Sequence, residues 1–271
     1  QGGIHNMAGN WDCSGGTFQS TTEGTVVLSG ASKTITTGAS NEFFNLTVNN
    51  SASTAGSNDV EVEGTLTVSG ALTVSPGDEL TLEDATVSGT LTVDADGSNS
   101  ATIDFSDASS ADFDVSGTLI LDGEDASNRA IVTSDDGTRI DVDITGTLTA
   151  DYFSLQYPNI TGLFVTGSNA QTISFGAFDY PFANGTLLNL TSATNITNDV
   201  ITGCSFGNTS SVSGATNVTA DGTTDVVTFT VFSGVLASDA STAEGNDVDA
   251  SDKIIWFDNK YYSDGNTNPN A

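Results

Sequence analysis

Apolar and polar positions alternate over three consecutive segments between Val60 and Asp94, and only Gly, Ser, Pro or acidic residues separate the segments. This period of two is typical of a half-buried β-strand, which places one face in a core and the other in solvent. The alternating residues are rich in Thr and Val, whose β-branched side chains suit a pleated strand better than a helix. The alternation sets Leu66, Val68, Leu72 and Val74 against Thr65, Thr67, Thr73 and Ser75.

One phrase of five residues returns along the chain at long intervals. Gly-Thr-Leu-Thr-Val occurs at Gly64–Val68 and Gly89–Val93, with looser versions at Gly117–Leu121 and Gly146–Ala150, so the glycines lie 25, 28 and 29 residues apart. A phrase recurring at this period marks a repeat architecture, in which each unit buries its apolar face on its neighbours. The sequence therefore predicts an all-β fold, a parallel β-solenoid with coils of about 25–29 residues. A β-sandwich is the alternative, although it would not explain a phrase that repeats at coil length.

The pattern divides the chain into three regions. We expect an N-terminal start or capping module in residues 1–50, the solenoid body in residues 51–220, and C-terminal strands in residues 221–271 that act as a cap or as an intersubunit segment. Residues 51–59 are polar, which predicts a loop that connects the start module to the regular solenoid.

The start module carries a characteristic order of short phrases, namely Gly9–Trp11, Gly16–Phe18, Gly24–Leu28, Thr34-Ile35 and Phe43–Val48. This order resembles the β-solenoid repeats of large secreted microbial surface proteins of the adhesin and autotransporter-passenger type, best over residues 1–95. The resemblance implies an extracellular, non-enzymatic protein of the cell surface, by analogy of fold alone. We expect Trp11 and Phe18 to cap or fill the first coil, and ligand binding by these aromatic residues is the alternative.

Charge excludes two classes of partner. The 271-residue chain has 35 acidic residues against five Lys and Arg, a formal charge of −30. Nucleic acids and anionic membranes are recognised through basic surfaces, so neither is an expected partner. The acidity instead favours solubility, the binding of divalent cations such as calcium, or repulsion between copies until salt screens it. No apolar run is long enough for a transmembrane helix, and a start at Gln1 is what removal of a leader would leave.

Among several acidic runs, one has the composition most like that of a calcium site. Asp94, Asp96 and Asn99 fall within six residues, and oxygen-rich loops of this kind bind calcium in other proteins. The run matches neither the EF-hand loop nor the glycine-rich nonapeptide of calcium-binding β-rolls. A solvated acidic turn is the alternative, and no other cofactor is expected.

Two kinds of covalent modification are suggested by the sequence. Cys13 and Cys204 are the only cysteines, and they predict one disulfide, within a chain or between subunits, or else a buried thiol at Cys204. Asn-X-Ser/Thr sequons are the second signal, and five of the eight lie between Asn184 and Asn217. The glycosylation candidates are Asn45, Asn49, Asn159, Asn184, Asn189, Asn195, Asn208 and Asn217.

Aromatic residues are concentrated in residues 152–182, and strongly apolar strands follow near the C-terminus. We expect the aromatic side chains to stack inside the core, with a flat surface strip for sugar or protein contacts as the alternative. The apolar strands Val226–Phe232 and Ile254–Phe257, followed by Tyr261-Tyr262, predict either a cap or pairing with the next subunit by β-augmentation. The assembly candidates are Val226, Val227, Phe229, Val231, Phe232, Ile254, Ile255, Trp256 and Phe257.

Catalytic chemistry has little support in the sequence. A β-helical polysaccharide lyase needs a basic proton acceptor, and only Arg129 and Arg139 lie in the predicted body, beside turns where a solvated arginine is usual. His5 is the only histidine and lies in a Gly-rich loop, which disfavours Ser-His-Asp chemistry.

Three functions follow from these patterns. The first is a self-assembling structural subunit of an extracellular layer, sheath, tube or filament, built as a homopolymer through strand edges. The second is an adhesin or carbohydrate-binding module, and the third is a polysaccharide lyase or hydrolase. We expect the first and do not expect an enzyme.

Overall fold

The structure is a computed structural model that describes residues 3–18, 23–30, 32–38, 41–50, 60–106, 110–250 and 252–258. Strands β1 to β9 are Ile4–Met7, Trp11–Asp12, Thr25–Leu28, Lys33–Thr36, Asn45–Val48, Val60–Val68, Ala71–Val74, Glu79–Val87 and Thr90–Asp94. Strands β10 to β18 are Ala101–Phe105, Ser110–Val115, Thr118–Asp122, Ala130–Thr133, Arg139–Ile144, Thr147–Asp151, Phe153–Gln156, Pro158–Val165 and Gln171–Ile173. Strands β19 to β26 are Ala177–Asp179, Thr186–Asn189, Val200–Thr202, Ser205–Phe206, Thr216–Ala220, Val227–Thr230, Val248–Asp249 and Ile254–Phe257. The helix α1 is Ala240–Glu244, and Thr197–Asp199 forms one 3₁₀ turn.

The strands stack in parallel into a β-solenoid of about nine turns, which confirms the predicted fold class. Face A has the order β1-β3-β5-β7-β9-β12-β15-β18, and a bridge between Ser174 and Thr202 leads into β21-β24-β26. The second sheet begins as β2-β4-β6-β8 and then divides, because the two halves of β8 pair with β10 and β11. Beyond β8, face B is β10-β13-β16-β19-β22 and face C is β11-β14-β17-β20-β23-β25. The described strand pairs are parallel, which excludes the antiparallel sandwich.

Inward apolar residues of consecutive coils stack into one continuous core. Leu91, Leu119 and Leu148 are in register and almost fully buried. Each such leucine contributes about 1.5–3 kcal/mol by leaving water. Aromatic clusters fill the core at each end: Trp11, Phe18 and Phe43 at the N-terminal end, and Phe206, Phe229, Phe232 and Trp256 at the other.

The repeated glycine of the phrase marks a corner where successive coils come into close contact. A Cβ atom on Gly117 would lie 1.8 Å from the carbonyl oxygen of Gly89, and one on Gly146 would lie 1.7 Å from that of Gly117. No side chain fits at such distances, so the glycine is a packing requirement of the stack.

The short helix α1 is capped at its N-terminus by a side chain. The carboxylate of Asp239 caps α1 by accepting a hydrogen bond from the Thr242 amide at 2.7 Å. Within the described ranges, no helix is long and apolar enough to cross a membrane.

Candidate functional site

Two pairs of stacked aromatic rings border face B where β16 and β19 lie side by side. Tyr152 precedes β16 and stacks on Phe175, which comes shortly before β19, with ring centroids 4.4 Å apart. Tyr157 follows β16 and stacks on Tyr180, which follows β19, with centroids 4.3 Å apart. Because each pair spans two neighbouring coils, the pairs form parallel walls along the solenoid axis.

All four residues of these walls adopt the left-handed backbone conformation. Their φ angles are 43° at Tyr152, 58° at Tyr157, 50° at Phe175 and 54° at Tyr180. This conformation costs about 1–2 kcal/mol for a residue with a side chain, and glycine occupies it freely at the equivalent corner, where Gly203 has a φ of 71°. Strain of this kind is found at functional sites, and in this fold it also occurs at other corners, for example at Ser192 and Ser211.

An arginine stands at the head of each wall. By the register of the sheet, Arg129 lies one coil before Tyr152, and Arg139 lies one coil before Tyr157. The Arg129 guanidinium donates to the carbonyl oxygens of Phe153 and Phe175, at 2.9 and 2.6 Å. The sequence predicted a solvated side chain at Arg129. That prediction is wrong, because the guanidinium bridges two successive coils.

Arg139 makes the corresponding contacts at the second wall. Its guanidinium donates to the carbonyl oxygens of Pro158 and Tyr180 and lies 5.7 Å from the ring centroid of Tyr157. Burial lowers the pKa of Arg139, yet an arginine so bonded stays protonated and is no proton acceptor. The prediction of a solvated side chain is therefore also wrong for Arg139.

Small side chains form the floor between the walls. Ser154, Ala177 and Ser205 are in register; Ser154 is buried beneath the amide of Gln156, whereas Ala177 and Ser205 are half-buried. Tyr152 and Tyr157 lie five residues apart along the strand, which corresponds to about 16 Å. We call this surface, bounded by the two walls and floored by the small residues, the framed face.

A carboxylate and a phenol lie at the second wall of the framed face, at Asp179 and Tyr157. The Asp179 carboxylate accepts hydrogen bonds from the amides of Tyr180 and Thr209, at 2.7 and 2.8 Å, so its charge is directed to the backbone. Burial and the neighbouring Tyr180 phenol raise the pKa of Tyr157, which keeps this phenol protonated.

Exposed apolar side chains extend the second wall. Phe182 is 40% exposed, and its ring centroid lies 5.5 Å from the Arg139 guanidinium carbon. Ile160 is 53% exposed and lies beside Phe182 next to Gly185. Exposed aromatic residues around an arginine are enriched at recognition surfaces.

The aromatic residues of the region therefore divide between core and surface. Phe153 and Phe178 are buried and pack edge to face at 5.3 Å, as the core interpretation predicted. That interpretation is wrong for Tyr152, Tyr157 and Phe182, which lie on the outside of the coils.

The predicted calcium residues belong to a turn. The Asp96 carboxylate accepts hydrogen bonds from the Ser98 and Asn99 amides at 2.8 and 2.9 Å, while Asp94 is in register with Asp122 on face A. In the part of the chain that the structure describes, no group of three or more acidic, His or Cys side chains is arranged to hold a metal ion. This geometry favours the solvated turn.

Both cysteines are free thiols, so no disulfide joins Cys13 to Cys204 within the chain. Cys204 is buried, with an exposed fraction of 1%, and burial raises its pKa to about 12. Cys13 is partly exposed and donates to the carbonyl oxygen of Thr36. The buried-thiol alternative is confirmed for Cys204, and its burial opposes a bond to a second chain.

The sequons differ in accessibility. Asn217 is fully buried, and its amide donates to the carbonyl oxygens of Leu236 and Ala243 at 2.9 Å, so glycosylation in the folded state is excluded. The remaining candidates are accessible to different degrees. Asn49, Asn184 and Asn195 are exposed, whereas Asn45, Asn159, Asn189 and Asn208 are half-buried.

The strands predicted to join subunits are largely core. Val226 and Val231 are exposed, and Phe232 and Ile255 are half-buried; Val227, Phe229, Ile254 and Trp256 are buried. Strand β24 pairs with β21 on one side and β26 on the other, so donation of Val226–Phe232 to another subunit is wrong. Strand β26 ends at the half-buried Phe257, and Tyr261 and Tyr262 lie outside the described residues.

A cavity of about 320 Å³ lies at the N-terminal end of the core. Met7, Trp11 and Phe43 line it, and the Trp11 ring packs against Phe18 with centroids 4.8 Å apart. Trp11 and Phe18 are half-buried and pack against the core at this end, so they cap the first coil around the cavity. His5 lies at the edge of this cavity.

No protein-family model, curated protein or solved structure matches this chain.

Proposed function

We propose that the chain is a non-catalytic, carbohydrate-binding module of an extracellular surface, and that the framed face recognises a neutral glycan. The observation that carries this proposal is the pair of walls, Tyr152–Phe175 and Tyr157–Tyr180, held in a strained backbone conformation on the outside of the coils. An aromatic side chain with no outward role would gain more by pointing into the core.

The chemistry of the framed face suits a sugar chain. Tyr rings combine an apolar body with a polar tip, and sugars likewise present C–H faces bordered by hydroxyl groups. On the floor, Ser205 supplies a half-buried hydroxyl group and Gln156 supplies a half-buried amide. A glycan lying along the axis would contact both walls at once.

The overall charge restricts the glycan class. A net charge of −30 repels anionic polysaccharides, and the two arginines are bonded to backbone carbonyl groups. Neutral or amino sugars meet no such repulsion.

Glycine substitutions test the proposal. Tyr157→Gly and Tyr180→Gly remove the ring while allowing the left-handed backbone, so the fold should survive. On an array of neutral oligosaccharides, the full chain should bind and both variants should bind at least about tenfold more weakly, the loss of one aromatic contact. Ser32→Gly is the matched control, since Ser32 is exposed, has a φ of 56° and lies next to β4, far from the framed face.

Two outcomes would overturn the proposal. One is a full chain that binds no neutral glycan on the array. The other is binding that the two tyrosine variants retain at the level of Ser32→Gly.

Self-assembly is the second candidate, and a different strand favours it. Strand β1 is the terminal strand of face A and pairs, among the described residues, with β3 alone. It carries no acidic residue, and Ile4 is 72% exposed, whereas natural edge strands are commonly protected by charge. Ile4→Lys should abolish polymers seen by electron microscopy, with Thr86→Lys as a control on an exposed face; polymers that survive Ile4→Lys would remove this joint.

A further inference from the structure

The outward side chains of face A form two straight files across the solenoid. Their members follow from the strand register, which places the residues of successive coils directly above one another. The first file is Ile4, Thr25, Asn45, Ala71, Thr90, Thr118 and Thr147, and the second is Asn6, Val27, Thr47, Thr73, Thr92, Ile120, Thr149 and Thr172.

These files are neutral although the chain is strongly acidic. None of their members is charged, in a chain with a formal charge of −30. The acids of face A lie in a third file at its margin, where Asp94, Asp122 and Asp151 are in register. On face C, by contrast, Asp112 and Asp141 pair directly in the middle of the sheet. Face A is therefore a second surface suited to an uncharged ligand.

The files have a fixed repeat. Neighbouring strands lie about 4.8 Å apart, so each file presents side chains at that interval. In a tetrahedral water network with hydrogen bonds of about 2.75 Å, second-neighbour oxygens lie about 4.5 Å apart. Over the four central strands β7, β9, β12 and β15 the accumulated difference stays below about 1 Å.

Threonine is the side chain best suited to hold such a network. Its branched Cβ restricts χ1, so the hydroxyl and methyl groups keep fixed positions with little entropy to lose. At the end of the second file, the hydroxyl groups of Thr172 and of Thr197 in the 3₁₀ turn lie 3.0 Å apart, so at this point hydroxyl groups of successive coils reach one another. The two files contain no aromatic residue, which distinguishes face A from the framed face and disfavours a sugar ligand.

We propose that face A binds ice, with the threonine files anchoring a layer of ordered water that continues into the crystal. The ligand class is thus a neutral periodic lattice of water, and the binding residues are centred on Thr73, Thr90, Thr92, Thr147 and Thr149. This function is independent of glycan binding, because it uses another face of the solenoid.

Ice-affinity partitioning tests the proposal with the full chain. A slowly growing ice surface should take up the chain, and Thr92→Lys and Thr149→Lys should each lower the ice-bound fraction at least about tenfold, because a long charged side chain disrupts the lattice. Thr86→Lys is the matched control, since Thr86 is exposed on β8 outside face A and should leave uptake unchanged.

The outcomes are decisive in both directions. Uptake that falls for the two face A variants alone supports ice binding, provided that circular dichroism shows the same strand content in all three variants. Exclusion of the full chain from ice overturns it, as does equal loss in Thr86→Lys. Binding to crystalline cellulose or chitin through Thr92 and Thr149 without ice uptake, or face-to-face dimers that these substitutions dissociate, would also overturn it.

Discussion

The guanidinium carbon of Arg139 lies 5.7 Å from the ring centroid of Tyr157, and the two residues occupy the same position in successive coils. Tyr157 in turn stacks on Tyr180. Three successive coils therefore place an arginine and then two aromatic residues at this corner. Arg129, Tyr152 and Phe175 repeat this order at the opposite edge of the framed face. Arg129 and Arg139 thus each bind backbone carbonyl groups beside one of the two aromatic walls.

Arg139→Met should destabilise the protein by about 1–3 kcal/mol. Met keeps an apolar stem but loses the donors to Pro158 and Tyr180 and the attraction to the ring. Urea unfolding followed by circular dichroism measures the loss, with Lys33→Met as a control for removal of a charge. A free energy of unfolding equal to that of the original chain would show that the bridge is not structural.

Val231→Gly should stabilise the protein by about 0.5–1 kcal/mol. Val231 is 74% exposed with a φ of 53°, a conformation that costs a branched residue about 1–2 kcal/mol, and part of the gain is offset by the flexibility of glycine in the unfolded chain. Val235 is 70% exposed and is not among the residues with positive φ. Val235→Gly should therefore destabilise, and a loss of stability in both variants would contradict the strain argument.

The fold class was predictable because alternation and recurrence both survive in the three-dimensional stack. Thr90, Thr118 and Thr147 pair directly, so the intervals of 28 and 29 residues are true coil lengths. The first interval is wrong: Leu66 pairs with Ala85 in the second sheet, and it is Ala71 that pairs with Thr90, 19 residues later. The same five-residue phrase can occur in strands of different sheets. The strand register depends instead on the number of strands and corners in each coil.

The framed face was only half predictable, for a reason that lies in the corners. Alternation decides which residues face inward within a strand, but the left-handed residue at each corner restarts the pattern. Two adjacent aromatic residues, as in Tyr152-Phe153, were a usable signal, since one must point inward and the other outward. The bonds of Arg129 and Arg139 join residues up to 46 positions apart, and no local pattern encodes them.

The two thiols should differ sharply in reactivity. Burial raises the pKa of Cys204 to about 12 and raises that of the partly exposed Cys13 less, so Cys13 should react first with a thiol reagent at pH 8. We expect one thiol to be titrated in native protein and both in denaturant. Cys13→Ser should leave the native protein unreactive; rapid labelling of Cys204 in that variant would mean that the C-terminal coils open readily.

Acidification from pH 8 to pH 5 should stabilise the fold, because the half-buried Asp247 and the buried Asp104 favour the protonated form. Burial raises the pKa of Asp247 to about 7, opposed by the Trp256 indole that donates to it at 2.6 Å and reinforced by Glu244 and Asp249. Burial likewise raises the pKa of Asp104 to about 6.

The direction of this dependence follows from proton binding. Between the ordinary value of 3.8 and the raised values, the folded state binds more protons than the unfolded chain, so stability falls as the pH rises through 6 and 7. Solvent screening of these partly exposed groups reduces the effect, and we expect about 1–3 kcal/mol in all. Urea unfolding at pH 5, 6, 7 and 8 measures it, and Asp247→Asn, which cannot titrate but still accepts from Trp256, should flatten the slope near pH 7. A stability that rises with pH over this range, or an unchanged slope in Asp247→Asn, would rule out Asp247 as the origin.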